Sequence, residues 1–205
     1  MIPAVVLAAG KSSRMGRTKA LLPIGSSGET FLTRVIRVLR EGGAEAIVVV
    51  IGGDAAAVRA SLPREDASIT AVDNPDYEEG QLSSLLVGLA AVERQDNVEA
   101  VMVTLVDLPL ILPSTVRSVL DAYRAKPGAP LVRPRRGTRY GHPVIFNHSI
   151  FGELRRADPS MGAKPVVRAH AAEEVHVDVD DAGAFIDIDT PEDYERFIRS
   201  LRPAS

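Results

Sequence analysis

Residues 3–8, PAVVLA, form an unbroken apolar run that gives way at once to glycine and polar positions. A run this short, bounded by a turn, predicts a strand buried on both faces. From Glu29 to Leu39 the apolar side chains fall at Phe31, Leu32, Val35, Ile36 and Leu39, a helical spacing that Gly42-Gly43 stops. Ala46 to Ile51 (AIVVVI) predicts a second buried strand, and Asp54 a helix cap leading through to Leu62, with Pro63 just beyond. A third strand follows at Ile69 to Val72 and a helix at Leu82 to Val92. Ala100 to Val106 reads as a fourth buried strand, and Pro113 to Tyr123 as a helix with proline in its first turn. Strand and helix thus alternate with short connections. The pattern predicts an α/β fold: a mostly parallel, twisted sheet with helices on both faces, a three-layer α/β/α sandwich. Ligands of such sheets sit outside the carboxyl ends of the strands. That rule places the Gly10 loop, the Asn74 to Ser84 segment and Asp107 along one rim.

Composition narrows the partners. The 205 residues fit a single domain spanning 1–205, with 45% hydrophobic and 25% charged residues as in ordinary soluble proteins. A net charge of −3 gives no reason to expect nucleic acid or an anionic membrane, so any anion site must be local. There is no cysteine, which excludes disulfides, thiolate chemistry and cysteine-built zinc sites and fits a cytoplasmic location. The opening MIPAVVLAAG is too short an apolar stretch to span a membrane and lacks the basic residues that begin a signal peptide.

The candidate chemistry starts at residues 7–19, LAAGKSSRMGRTK, where Lys11, Ser12, Ser13, Arg14, Arg17 and Lys19 gather around Gly10 and Gly16. Backbone N–H groups in such a turn form an anion-binding concavity, and the cations add charge. A solvated basic turn accounts for the same residues, but the position directly after a buried strand favours phosphate. The spacing is neither G-x-x-x-x-G-K-[ST] nor G-x-G-x-x-G, which argues against a P-loop ATPase and a dinucleotide-binding dehydrogenase. Asp107 follows VMVTLV and precedes LPL. There it can hold Mg²⁺, which favours one or two carboxylates plus phosphate oxygens, or it can merely cap the turn. In DIDTPED, residues 187–193, Thr190 and Asp193 form a capping pair with Pro191 at the first helical position. That pairing leaves Asp187 and Asp189 unexplained, and either can supply a second metal carboxylate. His142 precedes a proline in YGHPVIF, with no serine or cysteine constellation around it.

LAAGKSSRMGRTKALLPIG resembles the signature loop of nucleotidyltransferases with a MobA-like domain, and most resembles the molybdenum cofactor cytidylyltransferase (MocA-like) group. NPDYEEGQLSSLLVGL, VDLPLI, GHPVIF and DIDTPEDY resemble that group's further motifs, in the same order along the chain. The chain has Thr18 where the group often has proline. The resemblance implies a Rossmann-like nucleotidyltransferase fold. It implies transfer of CMP from CTP to the phosphate of molybdenum-molybdopterin, with release of pyrophosphate and formation of molybdopterin cytosine dinucleotide. By resemblance, Leu7, Ala8, Ala9, Gly10, Lys11, Ser12, Arg14, Lys19, Gly80, Gln81, Ser83, Ser84 and Asp107 bind nucleotide. Arg14, Lys19 and Asp107 carry catalysis, Asp107, Asp187 and Asp189 hold Mg²⁺, and His142, Met161 and Gly162 face the acceptor. A molybdenum hydroxylase is the implied recipient of the product. Two alternatives stay open: a related transferase using GTP or a phosphosugar or phosphocholine acceptor, and a non-catalytic molybdopterin-binding chaperone.

Overall fold

The first strand, β1 (Ala4–Ala8), is buried along its whole length. Its alternate side chains enter two different cores: Ala4, Val6 and Ala8 one, Val5 and Leu7 the other. The computed structural model of the chain describes residues 1–12, 14–26, 28–63 and 66–201; Ser13 of the basic loop and the chain end after Leu201 lie outside the described residues. After β1 and its loop come α1 (Phe31–Glu41), β2 (Ile47–Ile51), α2 (Ala55–Ala60), β3 (Ile69–Asp73), α3 (Gln81–Val92) and β4 (Ala100–Leu105). Then follow α4 (Pro113–Ala125), β5 (Leu131–Arg136), β6 (Arg139–Tyr140), β7 (Val144–Asn147), α5 (Phe151–Arg156), α6 (Lys164–Ala169), β8 (Val175–Asp178) and α7 (Pro191–Ser200).

The strands make one sheet in the order β3-β2-β1-β4-β7-β5-β6, with β8 on the other edge of β5. Pairings among β1 to β4 are parallel, as the alternation of elements predicts. β7 runs antiparallel to both β4 and β5, and β8 returns parallel to β5. The sheet is therefore mixed but mostly parallel. Helices α1, α4 and α7 bury Val35, Leu39, Val116, Leu120 and Phe197 on one face. Helices α3, α5 and α6 bury Leu82, Leu85, Leu89, Phe151, Leu154 and Val166 on the other. The result is three layers and two cores. Gly88 lets α3 lie against β1, because a Cβ there would stand 2.6 Å from Val5 Cγ1. This close seat brings the start of α3 to the carboxyl end of β1. Among the described residues no helix is long and apolar enough to cross a membrane.

One expected helix cap is different in the structure. Asp54 occupies the residue before α2 but makes no side-chain cap bond. Its carboxylate instead accepts a hydrogen bond from the Thr18 hydroxyl. Thr18 holds φ at −61°, the value proline would impose, so its hydroxyl adds a tether without changing the backbone. The carboxylate that does cap a long helix is Asp181, buried at 5% exposure. It accepts from Leu112 N at 2.9 Å, Thr115 Oγ1 at 2.7 Å and Gly183 N at 2.9 Å. A carboxylate at the start of α4 also complements the helix dipole. Asp181 thereby fastens the segment leading to Asp187 and Asp189 onto α4. Asp181→Ala is expected to lower stability by about 2–4 kcal/mol, since three bonds to a carboxylate are lost and two of their donors, on Thr115 and Gly183, are left buried. Urea denaturation checks this; a loss below about 0.5 kcal/mol, the range of neutral surface changes, would contradict the anchoring role.

Candidate active site

The carboxyl ends of β1 and β4 open into a cavity of about 280 Å³. Its floor is Leu7, Ala8, Ala9 and Gly10, where the chain leaves β1. The loop that follows is folded on itself. Met15 N and Gly16 N donate to Ser12 O at 2.9 and 3.1 Å, and Lys19 N donates to Ser12 Oγ at 3.0 Å. Met15 is buried and pins the loop to the core. Ser12 carries φ of 51° and Gly16 φ of 64°, so the turn passes twice through the left-handed region. The amides of Gly10, Lys11, Ser12 and Arg14 donate to no protein group among the described residues. Unpaired amides grouped in a turn are what an oxyanion can satisfy.

Four charged side chains close the cavity. Lys19 Nζ lies 2.9 Å from Asp107 Oδ2 and 2.5 Å from Asp189 Oδ1. Arg14 Nη2 lies 3.0 Å from Asp189 Oδ2, with most of its side chain in solvent. Burial opposes the charge on Lys19, but Asp107 and Asp189 outweigh it and hold the ammonium above its ordinary range. The Lys19 hydrogen bond correspondingly holds the Asp189 carboxyl below the usual carboxylate range. Ile188 N donates to Asp107 O at 2.9 Å, which ties the two acidic segments together. Asp187 lines neither cavity. The protein packed around its carboxyl, and then the charges of Asp107 and Asp189, push it up.

Among the described residues no ready-made cluster of three or more His, Asp or Glu holds a metal alone. Asp107 nevertheless fits a divalent cation. Its Oδ1 is buried without a hydrogen-bond partner among the described residues, while Oδ2 takes Lys19. A buried carboxylate oxygen with no donor is costly unless a cation or water meets it. Mg²⁺ commonly takes one or two carboxylates and completes its shell with phosphate and water.

The Asn74 to Ser84 segment forms the wall beside the loop. Asn74 is buried and donates to Ser83 Oγ at 2.7 Å and Ser84 Oγ at 3.0 Å, while its own Oδ1 accepts from Asp76 N. Gly80, with φ of 106°, turns the chain into α3. Gly80, Gln81 and Ser84 line the cavity, as does Tyr77. Ser83 does not: its hydroxyl is taken by Asn74 and by Asp76 O. Lys11 also points elsewhere, onto Glu78 at 2.5 Å and towards the Tyr77 ring.

A second cavity of about 610 Å³ adjoins the first, and Leu7 and Gln81 line both. His142, Met161 and Gly162 all line it. His142 Nδ1 sits 3.3 Å from Val103 O, and burial lowers its pKa, which favours the neutral ring. Motif reading did not reach Arg133, Lys164, Arg168, Glu174 and His176 in this cavity, and it met Tyr140 only as the first residue of YGHPVIF. They come from β5, β6, α6, β8 and, for Glu174, the residue before β8, and these strands carry charge and proline in place of an apolar run.

Comparison with known proteins gives the family and its fold. A family model described as the MobA-like NTP transferase domain matches residues 4–175. The chain is 31% identical over 206 residues to nicotine blue oxidoreductase of Paenarthrobacter nicotinovorans, covering 96% of each chain. It is 26% identical to the molybdenum cofactor cytidylyltransferase of Escherichia coli, covering 94% of this chain and 93% of that one. The crystal structure of Rv0371c from Mycobacterium tuberculosis H37Rv superposes with a TM-score of 0.81 at 31% identity, covering 98% of this chain and all of that one. The manganese complex of Rv0371c gives 0.78 at 30% identity, covering 98% and 99%.

Proposed function

The chain belongs to the MobA-like NTP transferase family, an enzyme family, and from that premise we propose that it transfers CMP from CTP to the phosphate of molybdenum-molybdopterin. One observation carries the reading. Unpaired loop amides, Arg14, Lys19 and the half-satisfied Asp107 share one cavity, and Gln81 joins it to a larger one. In this reading residues 1–205 act as one such domain. The first cavity takes the nucleotide and the second the acceptor.

An acceptor phosphate oxygen attacks the α-phosphorus in line. The bond from that phosphorus to the bridging oxygen breaks, and pyrophosphate leaves with the bond's electron pair. The acceptor is already anionic near neutral pH, so positioning and charge neutralisation dominate. Arg14 and the amides of residues 10–12 hold the β- and γ-phosphates. Lys19 turns from Asp107 and Asp189 to the α-phosphate. Asp107, with Asp187 or Asp189, would hold Mg²⁺, which when bound would supply charge neutralisation to the triphosphate. The manganese complex of Rv0371c supports a divalent ion here. His142, neutral and fixed by Val103 O, presents its other ring nitrogen as an acceptor of hydrogen bonds. A molybdenum hydroxylase then receives the finished dinucleotide.

CTP is expected to exceed GTP in kcat/KM by tenfold or more, a difference of about 1.4 kcal/mol. A site that hydrogen-bonds one base edge leaves buried groups unpaired with the other. The short LAAG floor and the Gly80, Gln81 and Ser84 wall support the smaller base. Pyrophosphate release measured with each of the four NTPs tests this, and GTP turnover equal to CTP turnover would replace the cytidylyl reading with a guanylyl one.

The likeness to nicotine blue oxidoreductase favours a second reading, two-electron reduction of a flat dye-like molecule in the larger cavity. The loop after β1 lacks the G-x-G-x-x-G spacing that seats a dinucleotide cofactor. Oxidation of a nicotinamide cofactor without NTP, together with no pyrophosphate release, would select this reading over transfer.

A further inference from the structure

The larger cavity holds cations of two kinds. Arg133 is spent within the protein. Its guanidinium pairs through two nitrogens with Glu174, whose side chain is 1% exposed, and lies 4.0 Å from the centroid of the Tyr140 ring. Tyr140 packs in turn on His176 at 4.9 Å. Lys164 and Arg168 line the same cavity, and neither makes an ion pair among the described residues. They are four residues apart on α6 and so share one face of that helix.

The helix itself gives no reason for this arrangement. Like charges at this spacing repel, and a cation in the first turn, as Lys164 is, opposes the helix dipole. Arg168 in the last turn has a local excuse; Lys164 has none. Leu7 and Gln81 line both cavities, whereas Lys164 and Arg168 line only the larger one. A phosphate reacting at the junction therefore leaves the α6 pair for another part of the same molecule. The same cavity is also lined by Leu82, Leu85, Val144 and Phe146, an apolar set, and by Tyr140.

Building on the transferase reading above, we infer that Lys164 and Arg168 are specificity residues that grip a second anionic group on the acceptor, separate from the phosphate that attacks. The acceptor class is a phosphomonoester on an apolar, partly planar body with a further negative charge at its far end. A choline phosphate, cationic at that end, is repelled, and a neutral sugar phosphate leaves the pair unused.

The test is equilibrium binding without NTP, using naphthyl phosphate and its sulfonated analogue, each followed by its own fluorescence, and molybdenum-molybdopterin, followed by equilibrium dialysis with molybdenum analysis. Wild type is expected to bind the sulfonated probe at least tenfold more tightly than naphthyl phosphate, with the advantage shrinking as salt is raised. Lys164→Ala/Arg168→Ala is expected to lose that advantage while binding naphthyl phosphate as before, and Lys164→Arg/Arg168→Lys to restore it. No preference in wild type, or a preference that survives the alanine pair, overturns the inference. A preference that behaves as expected, with no binding of molybdenum-molybdopterin, upholds the cation pair and removes that acceptor from the proposed function.

Discussion

Asp107→Asn is expected to cut turnover by on the order of a thousandfold, the upper range for removing one group that stabilises developing charge. NTP affinity measured without metal should stay within a few-fold of wild type. The argument begins with β4, which delivers Asp107 to the rim directly after Leu105 and Val106. Its Oδ2 is satisfied by Lys19, so the folded state already has one use for this carboxylate. Its Oδ1 has none among the described residues. Asparagine keeps the shape and one acceptor oxygen but removes the charge a divalent ion needs. Asp187→Ala should lose nearly as much. Its carboxyl is pushed up by the surrounding protein and by two like charges, a state that a bound cation relieves. Asp189→Ala should be milder, because Asp189 is already engaged by Lys19 and Arg14. Steady-state kinetics across a magnesium titration separates these cases. Wild-type turnover by Asp107→Asn at ordinary magnesium would remove Asp107 from the site.

Lys19→Ala is expected to lower kcat by on the order of a hundredfold with little change in the KM for NTP. Lys19 is the anchored cation of the loop. Its side chain is 12% exposed, its amide is held by Ser12 Oγ, and the next residue, Ala20, is buried. An ammonium held this way can be aimed at one phosphate, and its two carboxylate partners hold it until substrate arrives. Arg14 is 71% exposed and, among the described residues, tied to Asp189 alone. It follows the β- and γ-phosphates in ground state and transition state alike, so Arg14→Ala should raise KM as well as lower kcat. If Lys19→Ala raised KM and left kcat intact, Lys19 would be a binding residue only.

The parallel half of the fold was legible because β1, β2 and β4 are largely apolar runs buried on both faces, and glycine or proline marks the ends of several helices. The rim position of Gly10, Asp107 and the Asn74 segment followed from that alternation alone. The half built on β5, β6 and β8 was not legible. The interior strand LVRPRR and the edge strand VHVD carry charge and proline, and neighbouring carboxylates take up the arginines. Asp54 looked like a cap because of its position, but the tether to Thr18 comes from a loop 36 residues earlier. Asp181 caps α4 from 69 residues beyond Leu112, a relation no spacing rule can find. Within the site, motif order indicated the residue types and the structure separated their uses. Arg14, Lys19, Asp107 and Asp189 meet at one cavity, whereas Ser83 and Lys11 are taken up by Asn74 and Glu78.

The most direct test of the account is to incubate the protein with CTP, Mg²⁺ and molybdenum-molybdopterin, measure released pyrophosphate, and weigh the pterin product by mass spectrometry. The account predicts one pyrophosphate per pterin consumed, a product heavier by one CMP residue, and loss of both signals when the metal is chelated. Bound pterin with no pyrophosphate released from any NTP would contradict it.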